Sequence, residues 1–243
     1  MEIYTPCRNV MDMERSTKKA ILAILLIAPI PSLSLLIGQN SGSGIVGQVT
    51  FVLSKCWLLA IPLWWHLKLE GNERSWSPPS KGGWGISAAL GAGMAGIILG
   101  AWFLLGNIAV DAEEIRSTWG VFGLTDWRIL LGVCLYWIFL NSVLEEIVFR
   151  WFITTRAEII FGSEDMVKPI LLSAIVFTIH HTVALAFGGI VWWVIILGTI
   201  SIFIAGLIFS WIYMKYRSVW VVWLCHAIAD VGLFIVIAMI MLG

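Results

Sequence analysis

The sequence predicts an all-α protein: a polytopic transmembrane bundle of about seven spans (about six to eight) with its N-terminus in the cytoplasm. Three observations predict it. Of the 243 residues, 60% are hydrophobic and 12% charged, where soluble domains average about 45–50% and about 25%. Mean hydropathy is +0.93, and the apolar residues gather into stretches near the ~20 residues a spanning helix needs. Lys and Arg, finally, fall on alternate loops between those stretches.

The first span is read over 20–38, after a charged tail that continues to Lys19. Pro29 and Pro31 near its middle, and the lack of a small-residue cleavage pattern, favour a retained span over a cleavable leader. The second, 44–66, carries Lys55. The polar linker 67–83 has PP and GG pairs that read as turns and leads to the third span, 84–107. The fourth, 127–149, ends near Arg150. Segment 151–161 (WFITTRAEIIF) is short and holds Arg156 and Glu158, which predicts an interfacial amphipathic helix rather than a span. Spans over 169–187, 190–214 and 219–241 complete the count. With no repeat, low-complexity tract or soluble domain in view, residues 1–243 read as a single integral-membrane domain with a motif-bearing core at 127–235.

Apart from Lys55, only Arg116 and Arg128 among the basic residues lie on one side, in or beside the acidic 108–126 loop (Asp111, Glu113, Glu114, Asp126). Every other Lys and Arg, from Arg8 in the N-terminal tail to Arg217, falls on the opposite side. The positive-inside rule makes that side cytoplasmic and implies a multi-pass protein of the cell membrane, with the lipid bilayer as its surroundings. The 15 basic residues balance the 15 acidic ones without a basic block, so nucleic acid is not an expected partner. Cys7, Cys56, Cys134 and Cys225 are widely spread and form no CxxC pair, which excludes a disulfide scaffold.

A charge near the bilayer centre costs about 2.5–3.5 kcal/mol on insertion scales, so the ionisable residues inside spans are the informative ones. They are Lys55, Glu145, Glu146, His180, His181, His226 and Asp230. In LNSVLEEIVFR (140–150), Glu146 and Arg150 are four apart and share a helix face. Glu145 is turned about 100° away, with Asn141 on its own stripe. One carboxylate is held; the other is free to bind or activate water. In SAIVFTIHHTVAL (173–185), Phe177 and His181 share a stripe with Ser173, and His180 points to an adjacent face. In LCHAIAD (224–230), Asp230 follows His226 by one turn and can fix its tautomer. Singly, each cluster also fits a structural role: an ion pair between helices, a packed histidine, a buried hydrogen bond. Together, Glu plus His plus His–Asp is an inventory for activating a water and stabilising an oxyanion. It is also a set from which a divalent ion such as zinc could draw ligands, although neither HExxH nor HxxEH spacing occurs.

The order EExxxR, FxxxH, HxxxN/D resembles the CPBP family of intramembrane proteases, the CAAX-processing and bacteriocin-processing group also called the abortive-infection family. Here the motifs read Glu145-Glu146-Ile-Val-Phe-Arg150, Phe177-Thr-Ile-His-His181 and His226-Ala-Ile-Ala-Asp230. The run GLIFSWIYMKYRSVWVVWLCHAIAD (206–230) is similar as well. The resemblance implies an endopeptidase acting on a membrane-associated protein or peptide, lipidated or not. By the family pattern Glu145 activates water, His181 faces that water, and His226 with residue 230 stabilises the oxyanion, while Glu146 and Arg150 brace the site. Two departures stand out. Asp230 occupies a position where Asn is frequent, and as a carboxylate it would orient His226 rather than donate to an oxyanion. The tandem His180-His181 leaves two registers, of which the Phe177 spacing favours His181. The motifs leave metal dependence open: no cofactor is firmly implied, and zinc, if held, would be held by Glu145, His181 and His226. The favoured reading is water activated by glutamate without a tightly bound ion. Two other classes remain, a proton- or ion-coupled transporter with Lys55, Glu145 and His226 as its relay, and a non-catalytic membrane immunity or scaffold protein.

Glu145 precedes Arg150 by five residues, about 7.5 Å of helix at ~1.5 Å per residue. His226 follows Arg217 by nine, about 13.5 Å by the same rise. Both distances run from the basic side, so the cavity is expected to open to the cytoplasm.

Overall fold

A computed structural model describes residues 10–41, 44–162, 164–187 and 190–243; Cys7 and Arg8 lie outside the described residues. Among the described residues there are helices and no strands, and seven helices are long and apolar enough to cross a membrane. They are α1 (Asp12–Asn40), α2 (Gly44–Leu69), α3 (Trp84–Ala109), α5 (Trp127–Phe161), α6 (Val167–Ala186), α7 (Trp192–Tyr216) and α8 (Val219–Leu242). A short helix, α4 (Ala112–Gly120), sits in the acidic loop, where Asp111 accepts from the backbone N–H groups of Glu113 and Glu114. Its carboxylate satisfies donors that a helix start leaves unpaired.

The helices are not uniform, and proline explains part of this. α1 bends at Ala28–Pro29, because proline lacks an N–H and interrupts the backbone ladder. Pro62 lies inside α2 just before a π-helical turn at Trp65–Leu69. In α5, π-helical turns occupy Trp137–Asn141 and Glu146–Thr154. There hydroxyls bond to carbonyls of the preceding turn: Ser142 to Ile138 O, and Thr154 to Phe149 O at 2.9 Å. Wide turns of this kind re-aim side chains and collect at functional sites.

α5 corrects one expectation. The chain does not leave the fourth span at Arg150 for a separate interfacial helix; α5 runs on without a break through Phe161 for 35 residues. The two charges that suggested an interface are paired with distant partners instead. Arg156 donates to Glu70 at 2.6 Å, and Arg217 makes two hydrogen bonds to Glu158, at 2.7 and 2.5 Å.

These pairs gather at one end of the bundle, where the 70–83 loop meets the α7–α8 turn. Ser218 donates to Ser77 O at 2.7 Å, the Val219 N–H to Ser77 Oγ at 2.8 Å, and the Trp220 indole to Trp76 O at 2.7 Å. The 108–126 loop lies at the other end, with Val110, Ala112, Ile115 and Leu124 against Val236, Ile240 and Met241 of α8. The alternate loops separated by their charge are therefore separated in space.

Packing follows membrane rules. Small residues let backbones approach, since lipid offers no hydrophobic drive between helices. A side chain on Gly91 would fall 2.6 Å from Cys225 O, and one on Gly232 would fall 2.7 Å from Ala95 Cα, so α3 and α8 touch backbone to backbone. α6 and α7 meet similarly, through Gly206 and Ala174. Outward faces are greasy, with Phe103, Leu104 and Leu140 exposed. The core lies between α1, α5, α6, α7 and α8, built on Ile27, Phe149, Phe152, Phe177, Phe209, Ile212 and Val222.

Candidate active site

Glu145 and Glu146 are neighbours in sequence and part company in space. Glu146 is fully buried, as is Arg150, whose Nε stands 3.2 Å from Glu146 Oε2. That is an ion pair in which the N–H is not aimed at the oxygen well enough to count as a hydrogen bond. The guanidinium is held by other contacts. Its Nη1 donates to Ser173 Oγ at 3.2 Å, Ser173 passes a hydrogen bond on to Phe149 O at 2.8 Å, and the rings of Phe177, Phe209 and Phe149 lie 4.5, 5.4 and 5.8 Å away. Arginine's weak hydration and planar shape suit it to such a cage. The expected split is present, with Arg150 on Glu146 and Glu145 turned elsewhere.

Glu145 turns toward two imidazoles. His181 Nε2 lies 3.7 Å and His226 Nε2 3.9 Å from Glu145 Oε2. Both separations exceed a direct hydrogen bond and suit bridging by one water. The backbone assigns one tautomer. His181 Nδ1 lies 2.9 Å from Phe177 O, and a carbonyl only accepts, so Nδ1 carries a proton. In neutral His181, Nε2 is then an acceptor facing Glu145. Phe177 sits beneath, its ring centroid 4.1 Å from that of His181, while Phe209 stacks on His226 at 4.9 Å. The rings hold both imidazoles at fixed angles.

His226 differs from expectation in its partner. Its Nδ1 bonds Glu146 Oε1 at 2.7 Å, while Asp230 Oδ1 stands 3.6 Å from the opposite nitrogen, Nε2. Asp230 therefore does not orient His226 through a hydrogen bond; Glu146 does. The i,i+4 spacing pointed to Asp230 because it is local, whereas Glu146 comes from another helix. Glu146 thus bridges Arg150 and His226.

Asn141 is buried and donates through Nδ2 to Glu145 Oε1 at 2.7 Å. The residue that sequence reasoning left outside the site is Lys55 of α2. Its ammonium donates to Asn141 Oδ1 at 2.5 Å. The available signal was its cost, as the one Lys, Arg, Asp or Glu inside the first three spans read from the sequence. His180 stays apart: its Nδ1 is buried without a hydrogen-bond partner among the described residues, and its ring lies 5.0 Å from that of His181.

Glu145, His181 and His226 thus converge, with Asp230 beside them. Among the described residues, however, no three or more His, Cys, Asp or Glu side chains are disposed to hold a metal ion.

Residues 127–232 match the model of a known family, described as Rce1-like type II CAAX prenyl endopeptidase. That stretch, under half of the chain, is similar to this family. It contains every residue just described except Lys55, and the resemblance read from the three motifs falls within the same family. At family level this supports an intramembrane endopeptidase, and with seven apolar helices the chain is a multi-pass membrane protein. No curated protein and no solved structure matches the chain.

Proposed function

We propose that the chain is an intramembrane endopeptidase in which Glu145 activates water against a peptide bond of a membrane-associated protein or peptide. The observation that carries this reading is the convergence of His181 Nε2 and His226 Nε2 on one oxygen of Glu145, at 3.7 and 3.9 Å. In the proposed step Glu145 takes a proton from water as its oxygen attacks the substrate carbonyl carbon. His181 accepts from that water through Nε2. The negative oxygen of the tetrahedral intermediate accepts from Nε2–H of His226, whose Nδ1–H is occupied by Glu146. An imidazolium carries both protons, with Glu146 and Asp230 on either side of it. The proton on Glu145 then passes to the leaving nitrogen, the C–N bond breaks, and the carboxylate is restored.

The same proposal covers the setting. Residues 1–243 form one integral-membrane domain with a motif-bearing core at 127–235, and the basic end of the bundle faces the cytoplasm of the cell membrane; a reporter in 150–168 found outside would reverse that orientation. The substrate is presented at the bilayer, and a lipid anchor on it would raise its local concentration. Comparing prenylated with unprenylated forms of a cleaved peptide decides whether the anchor matters. The proposed step uses no tightly bound ion: cleavage should survive EDTA and 1,10-phenanthroline, and loss that zinc restores would refute this.

The primary test compares protein termini in membranes holding wild-type chain or Glu145→Gln. Wild type should create a new terminus, with Glu145→Gln slowing its appearance roughly a hundred- to ten-thousandfold, the range of a general base. A terminus formed equally by both would sink the proposal. A second reading, a proton-coupled transporter, draws on the Lys55–Asn141–Glu145 chain. It requires proton movement into sealed vesicles that Glu145→Gln abolishes, with no new terminus. A scaffold protein would give neither signal.

A further inference from the structure

The matched stretch begins at residue 127, yet the side chains around Glu145 include one from far outside it. Lys55 lies on α2, 86 residues from Asn141 in sequence, and its ammonium is the donor at the far side of the Asn141 amide. The rings of Phe51, one turn before it on α2, and of Trp137, one turn before Asn141 on α5, lie 5.2 and 5.6 Å from the ammonium. A charge seated within a span and flanked by two rings is retained at a cost.

Its chemistry constrains the site. An asparagine amide has two ends of similar shape, one accepting and one donating, and an ionised carboxylate, which only accepts, pairs with the donating one. A lysine ammonium only donates. With Lys55 in place Oδ1 must face it, so Nδ2 faces Glu145 and bonds Oε1 at 2.7 Å. The other oxygen, Oε2, is then the one presented to His181 and His226. Without Lys55 the amide oxygen loses its donor, the amide is anchored at the Glu145 end alone, and amide and carboxylate can swing together off their heading. We propose that Lys55 is a positioning residue: through Asn141 it fixes the plane of the Glu145 carboxylate and selects Oε2 as the working oxygen. This rests on the intramembrane-peptidase reading for its effect on rate, and on geometry alone for its effect on Glu145.

The test therefore has two arms on full-length protein in detergent or vesicles. The first needs no substrate. Infrared difference spectra of wild type against Glu145→Gln isolate the Glu145 carboxylate bands, and the same difference is then taken in a Lys55→Met background. The separation of the two carboxylate stretches should change, and Lys55→Arg, which keeps a donor, should restore most of it. An unchanged separation in Lys55→Met overturns the inference whether or not the protein cleaves anything.

The second arm uses the peptide found by the terminus comparison. Lys55→Met should lower kcat roughly ten- to a hundredfold, the scale of a misaligned catalytic group, with KM and the thermal midpoint close to wild type. In an Asn141→Ala background the same change should add almost nothing, because Lys55 acts through that amide. Losses that multiply, or a fall in kcat matched by a fall in thermal midpoint, would make Lys55 a helix tether rather than a positioning residue. A wild-type chain without cleavage refutes the peptidase reading and leaves the infrared arm to judge Lys55.

Discussion

The chain before residue 127 and the chain after it are held together by different physics. α3 in the first part meets α8 through glycine and alanine, backbone against backbone, and only 6% of its spanning window is buried. α8 in the second part has 44% of its window buried and takes part in an ion-pair and ring network centred on Glu146, Arg150 and His226. One half is mostly a wall against lipid; the other is a polar interior that must be satisfied internally. The lesson concerns where damage shows. Changes in the wall should act through fit, and changes in the interior through uncompensated charge or lost chemistry.

The largest stability effect should come from Arg150→Met. Removing one partner of a fully buried pair leaves Glu146 without its guanidinium, at a cost of about 3–5 kcal/mol. Unfolding in detergent would measure it, and a variant as stable as wild type would break the contrast between the halves. A smaller loss, about 1–3 kcal/mol, is expected for Gly232→Val, since the added atoms must displace Ala95 at the seam. Its companion Gly93→Val, where a Cβ meets nothing within 4 Å, should be nearly silent by the same measurement. Asp230 sharpens the comparison on the chemical side. With Glu146 orienting His226, Asp230→Asn should keep most of the cleavage rate, its amide oxygen still placed near Nε2. Asp230→Ala should be clearly slower. Equal loss in both variants, in folded protein, would mean that the charge itself is required.

The smallest effect is a pH dependence outside the membrane. Asp165 accepts from Lys168 and from the backbone N–H groups of Lys168 and Val167, which holds its carboxyl below the ordinary value of 3.8. A lowered carboxylate stabilises the folded start of α6 in full at neutral pH, and that contribution fades as pH falls below 3.8. Amide exchange in the first turn of α6 should therefore quicken on acidification in wild type and change less in Asp165→Asn.

Span number was legible because the bilayer imposes a length, and the apolar runs between charged loops met it. The end of α5 was not, because Arg156 and Glu158 read as solvated until Glu70 and Arg217 are seen beside them. Spacing of four correctly joined Glu146 to Arg150 and Asn141 to Glu145, since both pairs lie within one helix. It could not supply Glu146 for His226 or Lys55 for Asn141, whose separations of 80 and 86 residues are set by folding alone. The π-helical turns were equally hidden, as they depend on whether a backbone N–H takes the carbonyl four or five residues back.

The glycine seam between α3 and α8 has a bearing on biosynthesis. α3 leaves the ribosome more than a hundred residues ahead of α8, so the face that receives α8 is already in the bilayer when α8 arrives. His226 travels on that later helix. A nascent chain that has inserted α5 and α6 already holds Glu145 and His181 and, on the proposed mechanism, still wants the third group. The seam thus acts as a berth that brings His226 in last, and on the proposed mechanism an arrested or truncated chain lacking α8 would be disarmed by its own order of synthesis.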